Sequence, residues 1–218
     1  SINHAMAIKP AGISFAQAAT LPTGGLNALH YLRLGQIKKG DKILINGAGG
    51  NFGSFAVQLA KYFGAHVTAV DSPQKLDLLH SIGADRVIDY TREDFTKENE
   101  FYDVIFDVAS KASYSGCINS LSPDGRLVIA SPKFYQMVRR WLTERLSQKK
   151  VFYRFCRDLQ EDLAYLCQLI EAGHIIPVVD RIYPLDRVIE AHHYVESGEK
   201  RGNVALLVRD DKAEGSHD

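Results

Sequence analysis

Residues 46–53 of this 218-residue chain read Asn-Gly-Ala-Gly-Gly-Asn-Phe-Gly, and few folds accommodate what flanks them. A short apolar run, Lys42-Ile43-Leu44-Ile45, leads in, and a helical spacing, Phe52/Ala56/Leu59/Ala60/Phe63, leads out. Strand, glycine-rich turn and helix in that order make a phosphate cradle. Glycine lets the backbone turn sharply and approach a pyrophosphate. The helix N-terminus then offers unpaired N–H groups and a partial positive charge. A carboxylate, Asp71, follows at the end of the next apolar run, where an acid can accept the ribose hydroxyls of a dinucleotide.

The alternation continues beyond the turn. His66–Val70, Arg86–Asp89, Tyr102–Val108, Arg126–Ala130 and Val151–Phe155 read as further short strands. Helical stretches are expected at Pro73–Ser81, Ala112–Leu121 and Phe134–Ser147, with Ser122-Pro123-Asp124-Gly125 as a turn. This spacing predicts an α/β fold with a doubly wound, six-stranded parallel sheet, its ligand at the switch between the first and fourth strands. The last quarter breaks the repeat. Asp158–Ala172 is an amphipathic helix closed by Gly173, Ile176–Tyr183 is extended, Leu185–Ser197 is helical and Asn203–Val208 is a strand. Residues from Asp210 onward are polar and expected to fray.

Composition narrows the partners. Lys plus Arg balances Asp plus Glu at 26 each, so no global field favours nucleic acid. No apolar run reaches the roughly 18–20 residues that span a bilayer. The three cysteines, Cys117, Cys156 and Cys167, are odd in number and lack Cys-x-x-Cys spacing. That favours a reducing compartment and argues against a structural zinc site. With no signal-peptide pattern at the start, the expectation is a cytoplasmic protein.

Several ordered motifs resemble medium-chain dehydrogenases/reductases, above all their zinc-independent quinone oxidoreductase-like branch. They are Leu21-Pro22-Thr23-Gly24-Gly25-Leu26-Asn27-Ala28, the glycine turn with Ala56-Val57-Gln58-Leu59-Ala60-Lys61, and Ser81-Ile82-Gly83-Ala84-Asp85-Arg86-Val87-Ile88-Asp89-Tyr90. The tail adds Tyr183-Pro184-Leu185, Ala191-His192, Glu196-Ser197-Gly198 and Arg201-Gly202. The resemblance implies the cofactor-binding half of a reductase that passes hydride to a quinone or an α,β-unsaturated carbonyl, without most of the N-terminal substrate domain. It implies an entry segment over 1–26, a Rossmann-type domain over 27–172, a C-terminal return over 173–209 and a flexible tail over 210–218. It implies a homodimer through the strand at 151–155.

The resemblance also assigns residues. Ala48, Gly50 and Gly53 match the branch's fingerprint, with Gly47 and Gly49 alongside and Phe52 counted among the cofactor-binding residues; Asn51 stands where a glycine is common, so it either caps the helix or reaches a phosphate. Ser72, Lys75 and Tyr90 match positions that hold the 2′-phosphate of NADP in NADPH-dependent quinone reductases, whereas Asp71 suits NAD. NADP is the favoured expectation, with NAD possible. Asn27 falls where relatives place a threonine beside the nicotinamide. Val108 and Ala109, with Ala130 and Ser131, follow the fourth and fifth strands, where ribose and nicotinamide run. No metal site is expected. Adjacent His192 and His193 diverge on a helix, and His192 shares an apolar stripe with Val188, Ile189 and Val195, as a packed core histidine would. Lys133–Lys150 carries six basic residues and one acid among exposed-type aromatics, which reads as a solvated helix face rather than a membrane-surface helix. No catalytic acid or base is assigned. The alternatives are an NAD-dependent alcohol dehydrogenase-like member, a non-catalytic nucleotide-binding module and, more remotely, a methyltransferase.

Overall fold

The computed structural model describes residues 6–153 and 160–208. Six strands form one parallel sheet: β1 (Lys42–Asn46), β2 (His66–Asp71), β3 (Arg86–Asp89), β4 (Tyr102–Asp107), β5 (Leu121–Ile129) and β6 (Lys150–Phe152). Their order is β3-β2-β1-β4-β5-β6, so the winding reverses between β1 and β4. The sequence reading of a doubly wound α/β sheet holds.

Burial on both faces explains the unbroken apolar runs. Ile43, Leu44 and Ile45 are all fully buried, and the pleat sends them to opposite sides. Ile43 and Ile45 join Leu29, Phe55, Leu59 and Leu166 in one core. Leu44 joins Ile88, Ile105, Tyr114 and Leu127 in the other. The helices are α1 (Phe15–Ala18), α2 (Leu26–Leu34), α3 (Asn51–Tyr62), α4 (Leu76–Ser81), α5 (Tyr114–Asn119), α6 (Phe134–Leu146), α7 (Gln160–Glu171) and α8 (Val188–Glu196). Beyond α7, β7 (Val179–Pro184) and β8 (Asn203–Leu207) pair in parallel as a separate small sheet.

Four details differ from the sequence reading. A five-residue π-helical segment, Leu21–Gly25, runs into α2, which buries Leu26, Ala28, Leu29, Tyr31 and Leu32; the reading gave no helix bounds for either stretch. β5 starts five residues early. Between the pairs Tyr102↔Leu121 and Val104↔Arg126, the register advances two residues on β4 and five on β5. The Ser122–Gly125 turn is therefore a bulge inside a paired strand, tight enough that a Cβ on Gly125 would lie 2.8 Å from that of Leu121. β6 ends at Phe152, and Arg154 and Phe155 lie outside the described residues, as do Cys156, the first residues of the expected 158–172 helix, and the tail. Finally, His192 is exposed rather than packed. α8 buries Ala191 alone, so the stripe shared by His192, Ile189 and Val195 faces outward.

The return after α7 is fastened to the sheet domain from two sides. Gln58 on α3 donates through Nε2 to the Ile176 carbonyl (3.0 Å) and accepts from the Ile176 N–H (2.8 Å). The Gly202 N–H donates to the Gly49 carbonyl at 2.8 Å, inside the glycine turn itself.

Candidate cofactor site

The turn is built from the residues that its geometry demands. Gly47 takes φ +89°, and its N–H donates to the Val70 carbonyl (2.9 Å), anchoring the turn to the end of β2. A Cβ on Gly53 would lie 2.3 Å from the Gly47 oxygen and 2.5 Å from the Ala48 Cα, so only glycine lets α3 press this closely on β1. Gly50 is the N-cap of α3 and supplies no side-chain acceptor. The N–H groups of Asn51, Phe52 and Gly53 consequently have no acceptor among the described residues. They open at the carboxyl end of β1, where a pyrophosphate is stabilised by both their hydrogen bonds and the helix dipole.

Asn51 caps nothing. It is the first residue of α3, and its Oδ1 is buried without a partner against Gly24 of the π-helical segment. A side chain at Gly24 would collide with it.

A cleft of 810 Å³ opens at the switch between β1 and β4. Of the residues picked out in the sequence, it gathers Gly50, Asp71, Ser72, Lys75, Tyr90, Val108 and Ala109. Ala48, Gly49 and Gly53 are buried within the turn and do not line the cleft. Asn27, in the first turn of α2, turns back on the π-helical segment, donating to the Thr23 carbonyl at 2.7 Å. Ala130 and Ser131 stand at the end of β5, outside the lining; the Ser131 carbonyl accepts from Ser110 Oγ (3.1 Å), and the Ala130 carbonyl from the Tyr31 hydroxyl (3.2 Å). Phe52 is half-buried and also outside it. A larger groove of 1020 Å³ runs behind α3 past Tyr62 and His174, but it contains neither glycine turn nor open helix terminus.

Asp71 and Lys75, opposed in the sequence reading, are partners. Asp71 Oδ2 accepts from the Gly49 N–H (2.8 Å). Its Oδ1 accepts from the Ser72 N–H (2.8 Å) and sits 3.1 Å from Lys75 Nζ. Both side chains are nearly buried, at 8% and 10% exposure. The Lys75 stem crosses Gly49 so closely that a Cβ there would meet Lys75 Cδ at 2.6 Å.

Three residues at the site escaped the sequence reading. Asn46 and Asp107 end β1 and β4 side by side, Nδ2 to Oδ1 at 2.8 Å. The same Asp107 oxygen accepts from the Ser110 N–H (3.0 Å), holding Ser110 at φ +52°. Burial raises the Asp107 carboxyl above the usual carboxylate range, against the hydrogen bonds from Asn46 and Ser110. Their signal was present: a polar residue closing the apolar run of each strand. Lys200, in the return, also lines the cleft. Nothing local in the sequence marks it, because it reaches the site only through the return's closure.

Strand order, open α3 terminus and switch-point cleft together define a dinucleotide-binding fold. Residues 82–206 match the family model for zinc-binding dehydrogenases. The chain is 32% identical to a mitochondrial NAD(P)H oxidoreductase of Mus musculus, covering 92% of the chain and 57% of that protein. It is 35% identical to an NADPH-dependent alkenal/one oxidoreductase of Arabidopsis thaliana, covering 92% and 49%. Among solved structures, the quinone oxidoreductase from Coxiella burnetii superposes with TM-score 0.83 at 30% identity, covering 93% of this chain and 64% of that one. An NAD-dependent alcohol dehydrogenase superposes with TM-score 0.80 at 27% identity, covering 93% and 62%. The chain belongs to the zinc-binding dehydrogenase family, in the quinone oxidoreductase-like branch of the medium-chain dehydrogenases/reductases. It spans about half the length of the curated relatives it matches. Despite the family's name, no group of three or more His, Cys, Asp or Glu side chains among the described residues is placed to share a metal ion. No helix of the described residues is long and apolar enough to cross a membrane.

Proposed function

We propose that this chain is the cofactor-binding half of a reductase that uses NADPH to reduce a quinone or an α,β-unsaturated carbonyl. The observation that carries this reading is the switch-point cleft, with an open helix terminus at its centre and Asp71 already neutralised by Lys75. A lone carboxylate at the end of β2 repels a 2′-phosphate; a carboxylate paired at 3.1 Å does so far less. Bound NADPH would supply the hydride. The chain's part is to hold it. The α3 N–H groups take the pyrophosphate, and Ser72, Lys75 and Tyr90 border the adenosine ribose. Val108 and Ala109 back the path toward the end of β5, where Ala130 and Ser131 stand, and Asn27 lies in the first turn of α2.

The relatives support the substrate class, since they include an alkenal/one oxidoreductase and a quinone oxidoreductase. A second reading, NAD in place of NADP, draws on Asp71 and on the NAD-dependent alcohol dehydrogenase neighbour. The proposed partner is a second copy of the chain, and the proposed compartment is the cytoplasm, on the cysteine usage. Calorimetric titration with NADPH, NADH and S-adenosylmethionine tests the proposal. NADPH should bind most tightly and S-adenosylmethionine not at all. Tighter binding of NADH would give the site to NAD.

A further inference from the structure

The charges lining the cleft cancel, save at its rim and at one partly buried ammonium. Asp71 is paired with Lys75, Glu93 with Arg86 and Asp94 with Lys97. Lys111, Glu199 and Lys200 carry no ion pair among the described residues. Lys111 and Glu199 are exposed, where solvent screens them, whereas Lys200 is partly buried. One proton of its ammonium goes to the Gly202 carbonyl at 2.9 Å, which leaves two donors free. The Gly202 N–H is bonded in turn to Gly49, so the backbone carrying Lys200 is fastened to the phosphate cradle. Burial and the neighbouring Lys75 charge both press the Lys200 pKa below its ordinary value, with Asp71 and Asp180 opposing. A lysine so placed gains from an incoming anion.

We infer that Lys200 is the side chain that distinguishes a 2′-phosphorylated adenosine ribose from an unphosphorylated one. The inference rests on reading the cleft as a site for NADP. Lys75 is committed to Asp71, and Ser72 and Tyr90 offer neutral groups. Lys200 brings uncommitted positive charge to the Asp71–Lys75 corner, and it comes from a part of the chain remote in sequence. A phosphate there would take charge-assisted hydrogen bonds from its two free N–H groups.

The probes are 2′-phospho-ADP-ribose and ADP-ribose, titrated calorimetrically against the full chain, with circular dichroism to confirm folding. In the unsubstituted chain the phosphorylated probe should bind more tightly. Lys200→Gln should weaken it about tenfold, as expected for losing a charged hydrogen bond, while ADP-ribose changes by less than about twofold. Lys200→Arg should restore most of the preference. Equal weakening of both probes would overturn the inference, making Lys200 a pin for the return. So would an unchanged preference in Lys200→Gln. Equal affinity of the unsubstituted chain for the two probes would sink the NADP reading itself, a result distinguishable from a surviving preference that ignores Lys200.

Discussion

At the scale of single residues, two glycines of the same turn separate conformational need from space. A methyl on Gly53 would enter the Gly47 carbonyl and the Ala48 Cα, both of them backbone, which cannot swing aside. Gly53→Ala should therefore cost about 1–3 kcal/mol by overpacking. Gly50 adopts φ −92°, and its nearest neighbour to an added methyl is 3.7 Å away. Gly50→Ala should cost under about 1 kcal/mol. Urea unfolding of the two variants reads the difference, and equal losses would contradict this account of the turn. Asp107 makes a prediction of opposite sign. Its carboxyl titrates higher in the folded protein than in the unfolded chain, so ionising it costs more in the fold. Its share of stability is intact in acid and falls as pH rises from the unfolded value through the folded one. Asp107→Asn keeps an oxygen to accept from Asn46 and Ser110. It should be more stable than the parent at about pH 8, with the gap closing toward about pH 4. Denaturant midpoints across that range check it; a gap that widens in acid would refute it. Gly53 was legible in the sequence because only a glycine fits that packing. The Asp71–Lys75 pair was not, since the two signals seemed opposed until their side chains were seen to meet.

Among the elements, β6 carries the association argument. It stands at the end of the sheet order, paired with β5 on one side and with nothing described on the other. Val151 is fully buried, while Phe152 and Tyr153 are half-buried. An edge of this kind invites a second strand. Light scattering at micromolar protein should give twice the 24.3 kDa chain mass, and a monomeric mass would remove the proposed homodimer. The short parallel strands were readable because burial on both faces demands continuous apolar residues. The start of β5 was not, because Pro123 and Gly125 announce a turn whether the chain leaves the sheet or bulges within it. α2 was passed over although Leu26, Leu29 and Leu32 repeat at helical spacing, since Pro22, Gly24 and Gly25 just before them look like a loop.

Over the whole molecule, the apolar surface is uneven. α6 buries only Gln136 and exposes Phe134, Trp141 and Leu146, with Trp141 60% accessible; its solvated basic side was foreseen, its uncovered apolar side less so. α8 likewise turns Ile189 outward. The doubly wound sheet could be read from alternation alone, while the docking of the return could not. That docking depends on contacts across more than a hundred residues, such as Gln58 with Ile176. The Gly202-to-Gly49 hydrogen bond also sets where the domain can be cut. Severed after α7, the sheet would keep all six strands yet surrender the donor to a carbonyl in its own phosphate loop. As an engineering module, the nucleotide binder is thus discontinuous: a strand–helix repeat plus a clasp encoded at the far end of the chain.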